Sequence, residues 1–326
     1  MTSIKYITAM SPKNKAKKTV GMLGYGSQGR AIALNLRDSG FSVRLGLRAK
    51  SKSAVIAKRD GFKAIGSVSE AASESDILIF ALPDHQHGRV YEKEIKANLK
   101  ASATLVFLHG TSIHFGFVVP PQKSDVILIA PHAPGMAVRE KYLTDKSISA
   151  FYAVHQNYSG KAAKTVIELA GAMGFVKSRL IKTTFVTEAV GDLFGEQAVL
   201  CGGLALLVKN GFEVLVEAGI KADHAYLEVA YQLDLIIALI KRYGIEGMFK
   251  RISVAARYGS YVNGPWIIDK SIKKKMQAVY SEIASGEFPN KLYSLSEKEI
   301  SALDKKLKEM THPAFERAAK KFAPKP

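Results

Sequence analysis

The feature that most constrains the fold is a glycine-rich turn between a short apolar run and a segment of helical spacing. Residues 19–23 are typical of a buried strand, GYGSQG follows at 24–29, and residues 30–39 have helical periodicity. In this context GxGxxG is typical of a dinucleotide-binding turn, because its glycines allow a tight bend, a close approach of pyrophosphate and helix–strand packing. The predicted cofactor residues of this turn are Gly24, Tyr25, Gly26, Ser27, Gln28 and Gly29.

The end of the next predicted strand, residues 42–47, bears on the choice of dinucleotide. An NAD site usually places an acidic residue there to bind the ribose 2′-hydroxyl. This chain has no acid at 47–53 and offers Arg48, Ser51 and Ser53, which can bind a 2′-phosphate. We therefore predict NADP, whereas a merely solvated basic loop would leave the choice between NAD and NADP open.

The rest of the chain divides into two parts. At 326 residues it is long enough for roughly two domains. Further strand-length apolar runs lie at 77–82, 104–108, 126–130 and 149–154. Because helical stretches separate several of them, we expect a doubly wound parallel sheet with helices on both faces. Helical spacing replaces the strand pattern in the segments 192–209, 222–243 and 271–285. The predicted domains are residues 1–182, α/β and dinucleotide-binding, and residues 183–326, all-helical.

Composition narrows the classes of partner. A hydrophobic fraction of 47% argues against a disordered chain, and the net charge of +18 favours anionic ligands. The lysines are scattered and accompany no nucleic-acid-binding motif, so we expect no nucleic-acid partner. The longest apolar run, 198–208, falls short of the roughly 18 residues of a membrane helix, and no apolar signal core is present. A single cysteine, Cys201, fits a cytoplasmic protein.

Three acids line one face of a predicted helix. Glu188, Asp192 and Glu196 are spaced i, i+4, and Glu228 follows on a later helix. Such acids can hold Mg²⁺, which prefers hard oxygen ligands, or can form a solvated acidic face near a helix N-terminus. The neighbouring Phe194 and the apolar residues around it favour a metal site, because acids without a partner are costly in an apolar environment.

Two histidines follow predicted strands at the edge of the sheet where doubly wound folds bind ligands. His109 and His132 are therefore candidate acid–base groups. Other histidines are expected to be surface or structural residues, namely His85, His87, His155, His224 and His312.

Taken together, these segments resemble the ketol-acid reductoisomerase family in its short form. The most specific block is DLFGEQAVLCGG at 192–203, and GYGSQG at 24–29 also matches. Further matching segments lie at 46–53, 82–84, 109–115, 129–139, 211–219, 225–228, 258–265 and 285–288. The resemblance covers nearly the whole chain.

The resemblance implies a Rossmann domain followed by an all-helical, knotted domain that builds a homodimer, with a higher assembly of dimers possible. Family enzymes bind NADPH and two Mg²⁺ ions, migrate an alkyl group within a 2-acetohydroxy acid, and reduce the resulting 2-keto acid to a 2,3-dihydroxy acid. This reaction belongs to branched-chain amino-acid biosynthesis. The metals act as Lewis acids on the substrate oxygens.

The resemblance also assigns roles to residues of this chain. Asp192 would bridge both metals, Glu196 would complete the first site and contribute to catalysis, and Glu228 of a partner subunit would serve the second metal. His109 would be the active-site histidine, and Ser253 would contact the substrate carboxylate. The cofactor would also contact Leu82, Pro83, Asp84, His109 and Gly135.

The chain departs from the family pattern at several site positions. His132 stands for the family's lysine, Gln232 for the second glutamate of the second metal site, and Met136 for a histidine. Arg257 and Trp266 replace a glutamate and an arginine. Because an amide is a weaker ligand for a divalent ion than a carboxylate, the second Mg²⁺ site is the doubtful one. The alternatives to a working reductoisomerase are a 2-keto acid reductase without isomerase activity and a catalytically silent NADP-binding paralogue.

Overall fold

The chain forms two compact units in the computed structural model, which describes residues 18–144, 146, 148–176 and 179–323. The first unit extends to Gly191 and the second begins at Asp192. The division falls inside one helix, Phe185–Gly195, so the backbone passes from one unit to the other without a loop.

The first unit is built on a mixed sheet of eight strands in the order β3-β2-β1-β4-β5-β6-β7-β8. The strands are β1 Thr19–Leu23, β2 Ser42–Gly46, β3 Ile65–Gly66, β4 Ile77–Phe80, β5 Thr104–Phe107, β6 Asp125–Pro131, β7 Ala150–Gln156 and β8 Leu180–Lys182. Neighbouring strands are parallel except β6 and β7. The carboxyl ends of β1, β4, β5 and β6 therefore meet at one edge, called the ligand edge below.

Helices cover both faces of this sheet. They are α1 Ser27–Asp38, α2 Lys52–Arg59, α3 Val68–Glu74, α4 His87–Val90, α5 Thr111–His114, α6 Gly135–Leu143, α7 Ala162–Met173 and α8 Phe185–Gly195, with a 3₁₀ turn at Asp84–Gln86 and a π-helical turn at Tyr91–Ile95. Alternate strand residues enter opposite layers, as with Ile79 on the α1 side and Phe80 on the α3 side. The predicted doubly wound α/β architecture is confirmed.

The sheet differs from the sequence prediction in three strands. The predicted parallel sheet is confirmed for every neighbouring pair but one: Ala150 of β7 pairs with Pro131 at the ligand edge, and β7 runs back antiparallel to β6. The chain makes this reversal after α6, without crossing the sheet. β3 and β8 were not predicted, because strands of two or three residues are too short to show a periodicity.

The second unit is helical throughout its described residues. Its helices are α9 Gly202–Glu217, α10 Ala222–Tyr226, α11 Leu233–Phe249, α12 Val254–Ile267, α13 Lys270–Ala284, α14 Glu287–Ser294, α15 Glu297–Lys308 and α16 Pro313–Phe322. π-helical turns at Glu196–Leu200 and Leu227–Tyr231 interrupt two of the predicted helical segments. The all-helical prediction is confirmed, and the knot stays a prediction.

One helical stretch of the described chain, Phe185–Glu217, is long and apolar enough to span a membrane by length and composition alone. Its 33 residues include a window of mean hydropathy 1.7 that is 6% buried. The prediction of no membrane-spanning segment rests on unbroken apolar runs, whereas an average over a window tolerates the glycines and the few charges of this stretch.

A buried amide joins three helices of the first unit. Asn35 of α1 is fully buried; its Nδ2 donates to the carbonyl oxygen of Met173 at 2.9 Å, and its Oδ1 accepts from Arg139 at 2.8 Å. These bonds connect α1 to α7 and α6, since each partner lies on a different helix.

We expect Asn35→Ala to lower the free energy of unfolding by about 2–3 kcal/mol, because it leaves a buried carbonyl and a guanidinium without their partner. Urea denaturation followed by circular dichroism measures this. Asn98→Ala is the matched control, since Asn98 makes the same kind of bond, to Glu94, on the exposed surface. Equal losses in the two variants would contradict the role given to Asn35.

Candidate functional site

The glycine turn lies at the ligand edge between β1 and α1. Gly24 has φ +93°, and a Cβ there would press on the carbonyl oxygen of Ala81, just after β4. A Cβ on Gly29 would press on the carbonyl oxygen of Gly24. A Cβ on Gly26, by contrast, would meet no described atom within 4 Å. The first and third glycines are thus required by packing, and the second borders open space where a ligand can approach the backbone.

The first turn of α1 is suited to an anion. Its N-cap, Gly26, provides no side-chain cap, and the turn holds no acid, so its N–H groups have no carboxylate partner within that turn. Such a helix N-terminus carries partial positive charge and is a ready pyrophosphate site. The donors of this turn therefore fit the phosphates of a dinucleotide.

The loop after β6 lies against this turn. Gln28 Nε2 donates to the carbonyl oxygen of Ala133 at 2.6 Å, and a Cβ on Gly135 would overlap the backbone of Ser27. Gly135, a predicted cofactor residue, is therefore needed first for the close approach of two backbones. Since the Oε1 atom of Gln28 is buried with no hydrogen-bond partner among the described residues, the turn also has an acceptor that a ligand can satisfy.

The proposed 2′-phosphate residues follow β2. Ser51 is the N-cap of α2, where its hydroxyl oxygen accepts from the backbone N–H of Ala54 at 3.2 Å. Arg48 is exposed and Ser53 is half-buried. Tyr25 is only 3% exposed, and its hydroxyl donates to Asp60 at 2.8 Å. Burial and the nearby carboxylate raise the pKa of Tyr25, so its side chain stays neutral and only its backbone can face a ligand.

His109 and Glu188 meet just beyond β5. The buried carboxylate of Glu188, on α8, accepts the backbone N–H of Gly110 at 2.5 Å. A Cβ on Gly110 would press on the carbonyl oxygen of Phe185 and on Glu188 Oε2. Only glycine lets α8 approach the strand end this closely.

The protonation of the neutral His109 ring follows from its contacts. Its Nδ1 accepts from the backbone N–H of Thr111 at 3.4 Å and lies 2.6 Å from the Thr111 hydroxyl. Because Nδ1 accepts, the neutral ring carries its proton on Nε2. Nε2 is therefore the atom through which His109 can donate a proton.

His109 and two acids of α8, Glu188 and Asp192, form a candidate metal-binding group. Ligand atoms of His109, Glu188 and Asp192 all lie within 4.8 Å of one another. Mg²⁺ prefers carboxylate oxygens to imidazole, so the two acids are the members that suit this ion and His109 is better suited to proton transfer. The i, i+4 spacing of the acids indicated this face, and Glu188 enters the group although the family resemblance gave it no role.

Other predicted site residues lie farther along the chain. Glu196 begins a π-helical turn and is exposed. Gln232 Nε2 donates to Glu228 Oε2 at 3.2 Å across another π-helical turn, so the amide and the carboxylate form an exposed pair. Ser253 is the N-cap of α12, and its hydroxyl oxygen accepts from Ala256 N–H at 3.1 Å. The hydroxyl proton of Ser253 can still be donated.

The residues that depart from the family pattern are exposed. His132 lies just after β6, with Nδ1 3.2 Å from the Ser149 hydroxyl and its ring edge-on to Phe151. Met136 and Trp266 are each 82% exposed, and Arg257 is also exposed. These side chains face away from the cores of their own units, so their replacement leaves the folding of each unit intact.

After the loop that follows β4, His87 begins α4; it is one of the histidines expected to be surface or structural residues, and it is buried. His87 is 1% exposed and contacts the carbonyl oxygen of Leu82 and the hydroxyl of Ser112. In the sequence, a single histidine between polar residues gives no indication that its side chain is buried. The predicted cofactor residues Leu82, Pro83 and Asp84 lie in this loop, whose start touches Gly24.

Two family models match successive parts of the chain. Residues 15–178 match the family described as "Acetohydroxy acid isomeroreductase, NADPH-binding domain", and residues 185–323 match "Ketol-acid reductoisomerase, C-terminal domain". The two matches together span most of the chain.

Individual relatives point to the same family. The "Ketol-acid reductoisomerase (NADP(+))" of Pyrobaculum aerophilum is 43% identical over 91% of this chain and 90% of its own length. The protein of the same name from Xanthomonas campestris pv. campestris is 45% identical over 84% and 82%. The solved "NADH-preferring ketol-acid reductoisomerase from an uncultured archean" has TM-score 0.89 and 37% identity, and the match covers 96% of this chain and 97% of that one. The chain belongs to the ketol-acid reductoisomerase family.

Proposed function

We propose that the chain is an NADP(H)-dependent ketol-acid reductoisomerase. It converts a 2-acetohydroxy acid into a 2,3-dihydroxy acid by Mg²⁺-dependent alkyl migration and hydride transfer, in branched-chain amino-acid biosynthesis. The observation that carries the proposal is the acidic group of α8, with ligand atoms of Glu188 and Asp192 within 4.8 Å of each other and of His109. A silent paralogue has no need to keep these hard oxygen donors beside an imidazole.

The chain's own residues have separable tasks in this proposal. The uncapped first turn of α1 binds the pyrophosphate, and Gly26 lets the phosphates approach the backbone. Asp192 and Glu196 hold the first metal with the carboxylate of Glu188 beside them, and Glu228 holds the second. Ser253 donates to the substrate carboxylate. His109 holds a proton on Nε2 for a substrate oxygen. When bound, Mg²⁺ supplies Lewis-acid polarisation of the substrate oxygens and NADPH supplies the hydride.

His132 takes the family lysine's position in the proposed site. Its Nδ1 contact with Ser149 orients the ring, and an imidazole can donate a proton or a hydrogen bond much as an ammonium does.

The same proposal places the protein in the cytoplasm as a homodimer. Such dimers can associate into higher assemblies. Exposed large apolar side chains in the second unit include Leu200, Leu207, Val214, Leu235, Ile245, Tyr261 and Trp266. A second copy of the chain would cover such a surface. Light scattering should give twice the chain mass of 35.5 kDa without detergent. A monomer, or a protein that needs detergent to stay in solution, would contradict the dimer.

Steady-state assays with NADPH, Mg²⁺ and either 2-acetolactate or 3-hydroxy-3-methyl-2-oxobutyrate test the function. A reductoisomerase oxidises NADPH with both substrates and needs Mg²⁺ for 2-acetolactate. Turnover of 3-hydroxy-3-methyl-2-oxobutyrate but not of 2-acetolactate identifies a reductase without isomerase activity. NADPH binding with no turnover of either substrate identifies a silent paralogue.

Ser51→Asp should weaken NADPH binding about ten-fold or more and leave NADH binding unchanged. Aspartate also caps helices, so α2 keeps its N-cap, while the new carboxylate repels a 2′-phosphate. Calorimetry with both dinucleotides measures the change. Ser67→Asp, at the N-cap of α3, is the control. Equal effects of the two substitutions on NADPH affinity would place the 2′-phosphate elsewhere.

Glu188→Gln should preserve the fold and weaken Mg²⁺ binding by about 10–100-fold, because glutamine still accepts the Gly110 N–H but lacks the charge. Titration calorimetry of the NADPH complex with Mg²⁺ gives the affinity. Glu217→Gln, an exposed substitution of the same kind, is the control. An unchanged Mg²⁺ affinity in Glu188→Gln would remove this residue from the metal centre.

Gln232→Glu should tighten the weaker Mg²⁺ binding event about ten-fold, since it puts two carboxylates four residues apart where an amide and a carboxylate now pair. The same calorimetric titration detects it. Gln277→Glu adds an equal charge on exposed α13 and serves as control. Identical isotherms for the two variants would show that residue 232 contributes no metal ligand.

A further inference from the structure

His87 is the buried connection between two loops of the ligand edge. Its Nε2 lies 3.0 Å from the carbonyl oxygen of Leu82, in the loop after β4, and its Nδ1 lies 2.7 Å from the hydroxyl of Ser112 on α5, after β5. The ring packs edge-on to Phe80 and tilted against Phe107. Both hydrogen bonds are therefore made in a dry, aromatic environment.

These contacts determine the tautomer of His87. A backbone carbonyl oxygen can only accept, so Nε2 must carry a proton and donate to Leu82. In the neutral ring Nδ1 then accepts from the Ser112 hydroxyl. Burial lowers the pKa of His87, because the charged ring would lose its hydration. The neutral, Nε2-protonated ring is thus the form that this site holds.

The two loops joined by His87 carry the residues of the proposed site. The segment just before Leu82 touches the glycine turn, where Ala81 lies against Gly24. Ser112 is three residues beyond His109, on the short helix that begins after the Gly110 contact with Glu188. A shift of either loop would change the distance between the dinucleotide turn and the His109 loop.

We propose that His87 is a positioning residue for the nicotinamide cofactor, which fixes the Leu82–Asp84 loop against the His109 loop through its two hydrogen bonds. This inference rests on the proposed function only in taking the ligand edge as the NADPH site. His87 touches no reacting group and acts through Leu82 and Ser112.

Acid should weaken this connection. The titratable groups facing the ring are Asp84, with Oδ1 3.8 Å from Nε2, and His85 and His109. Of these, only Asp84 favours protonation of His87. Unfolded histidine titrates near pH 6.5, whereas burial makes folded His87 resist the proton. The contribution of His87 to stability is therefore complete above that pH and falls as the solution is acidified towards the folded pKa.

Three variants of the full chain separate positioning from packing. His87→Phe keeps an aromatic ring between Phe80 and Phe107 but makes neither hydrogen bond. His87→Gln keeps an amide donor for Leu82 and cannot be protonated. Ser112→Ala removes only the second bond. His224→Gln, at an exposed position of α10, is the control.

The measurement is the NADPH dissociation constant at pH 7.5 and 5.5 by calorimetry, with circular dichroism to verify folding. We expect His87→Phe to weaken NADPH binding about ten-fold at pH 7.5 and His87→Gln to stay within about three-fold of the unsubstituted chain. Urea denaturation should show that the unsubstituted chain loses more stability between pH 7.5 and 5.5 than His87→Gln does. Ser112→Ala should weaken binding a few-fold and carries the test if His87→Phe fails to fold.

Nitrogen-15 NMR of labelled histidine gives an independent readout, since it should report His87 protonated on Nε2 at pH 7.5. The proposal is overturned if His87→Phe, or Ser112→Ala in its place, binds NADPH as tightly as the unsubstituted chain at both pH values. An inactive enzyme that still shows this pattern of NADPH affinities would contradict the proposed reaction and leave the role of His87 intact.

Discussion

The hydrogen bond from Gly110 to the buried carboxylate of Glu188 is the contact on which the site depends. At 2.5 Å it holds the first turns of α8 against the end of β5 in a place where any side chain on residue 110 would collide. A carboxylate out of water is stable only when its lone pairs are satisfied, so this acid fixes the helix and remains beside His109. The metal-binding group exists because helix and strand end meet here.

Backbone approaches of the same kind build the dinucleotide side. Gly24 against Ala81 and Gly135 against Ser27 bring the loops after β4 and β6 onto the turn between β1 and α1. Each approach needs a residue without Cβ, and together they leave Gly26 as the glycine that faces open space. The glycines thus divide into those that assemble the edge and one that receives the ligand.

Much of this was predictable from sequence. The glycine turn and β1 are local patterns, and they lie where the sequence predicts them. The i, i+4 pair Glu188 and Asp192 lies on α8 as predicted, whereas Glu196 begins a π-helical turn. The antiparallel β7 and the burial of His87 were not predictable, because strand direction and burial depend on contacts between residues far apart in the chain. The membrane-length helix was missed because its apolar character is an average rather than a run.

The central claim is that Asp192 of α8 and Glu196, the residue after this helix, hold the catalytic metal of an enzyme whose dinucleotide binds at the ligand edge. A crystal structure with NADPH and Mn²⁺, using the anomalous signal of manganese, tests it most directly. The account predicts a manganese peak bonded to Asp192 and Glu196 and pyrophosphate density at the first turn of α1. Manganese bound only away from α8 in crystals that contain NADPH would contradict it.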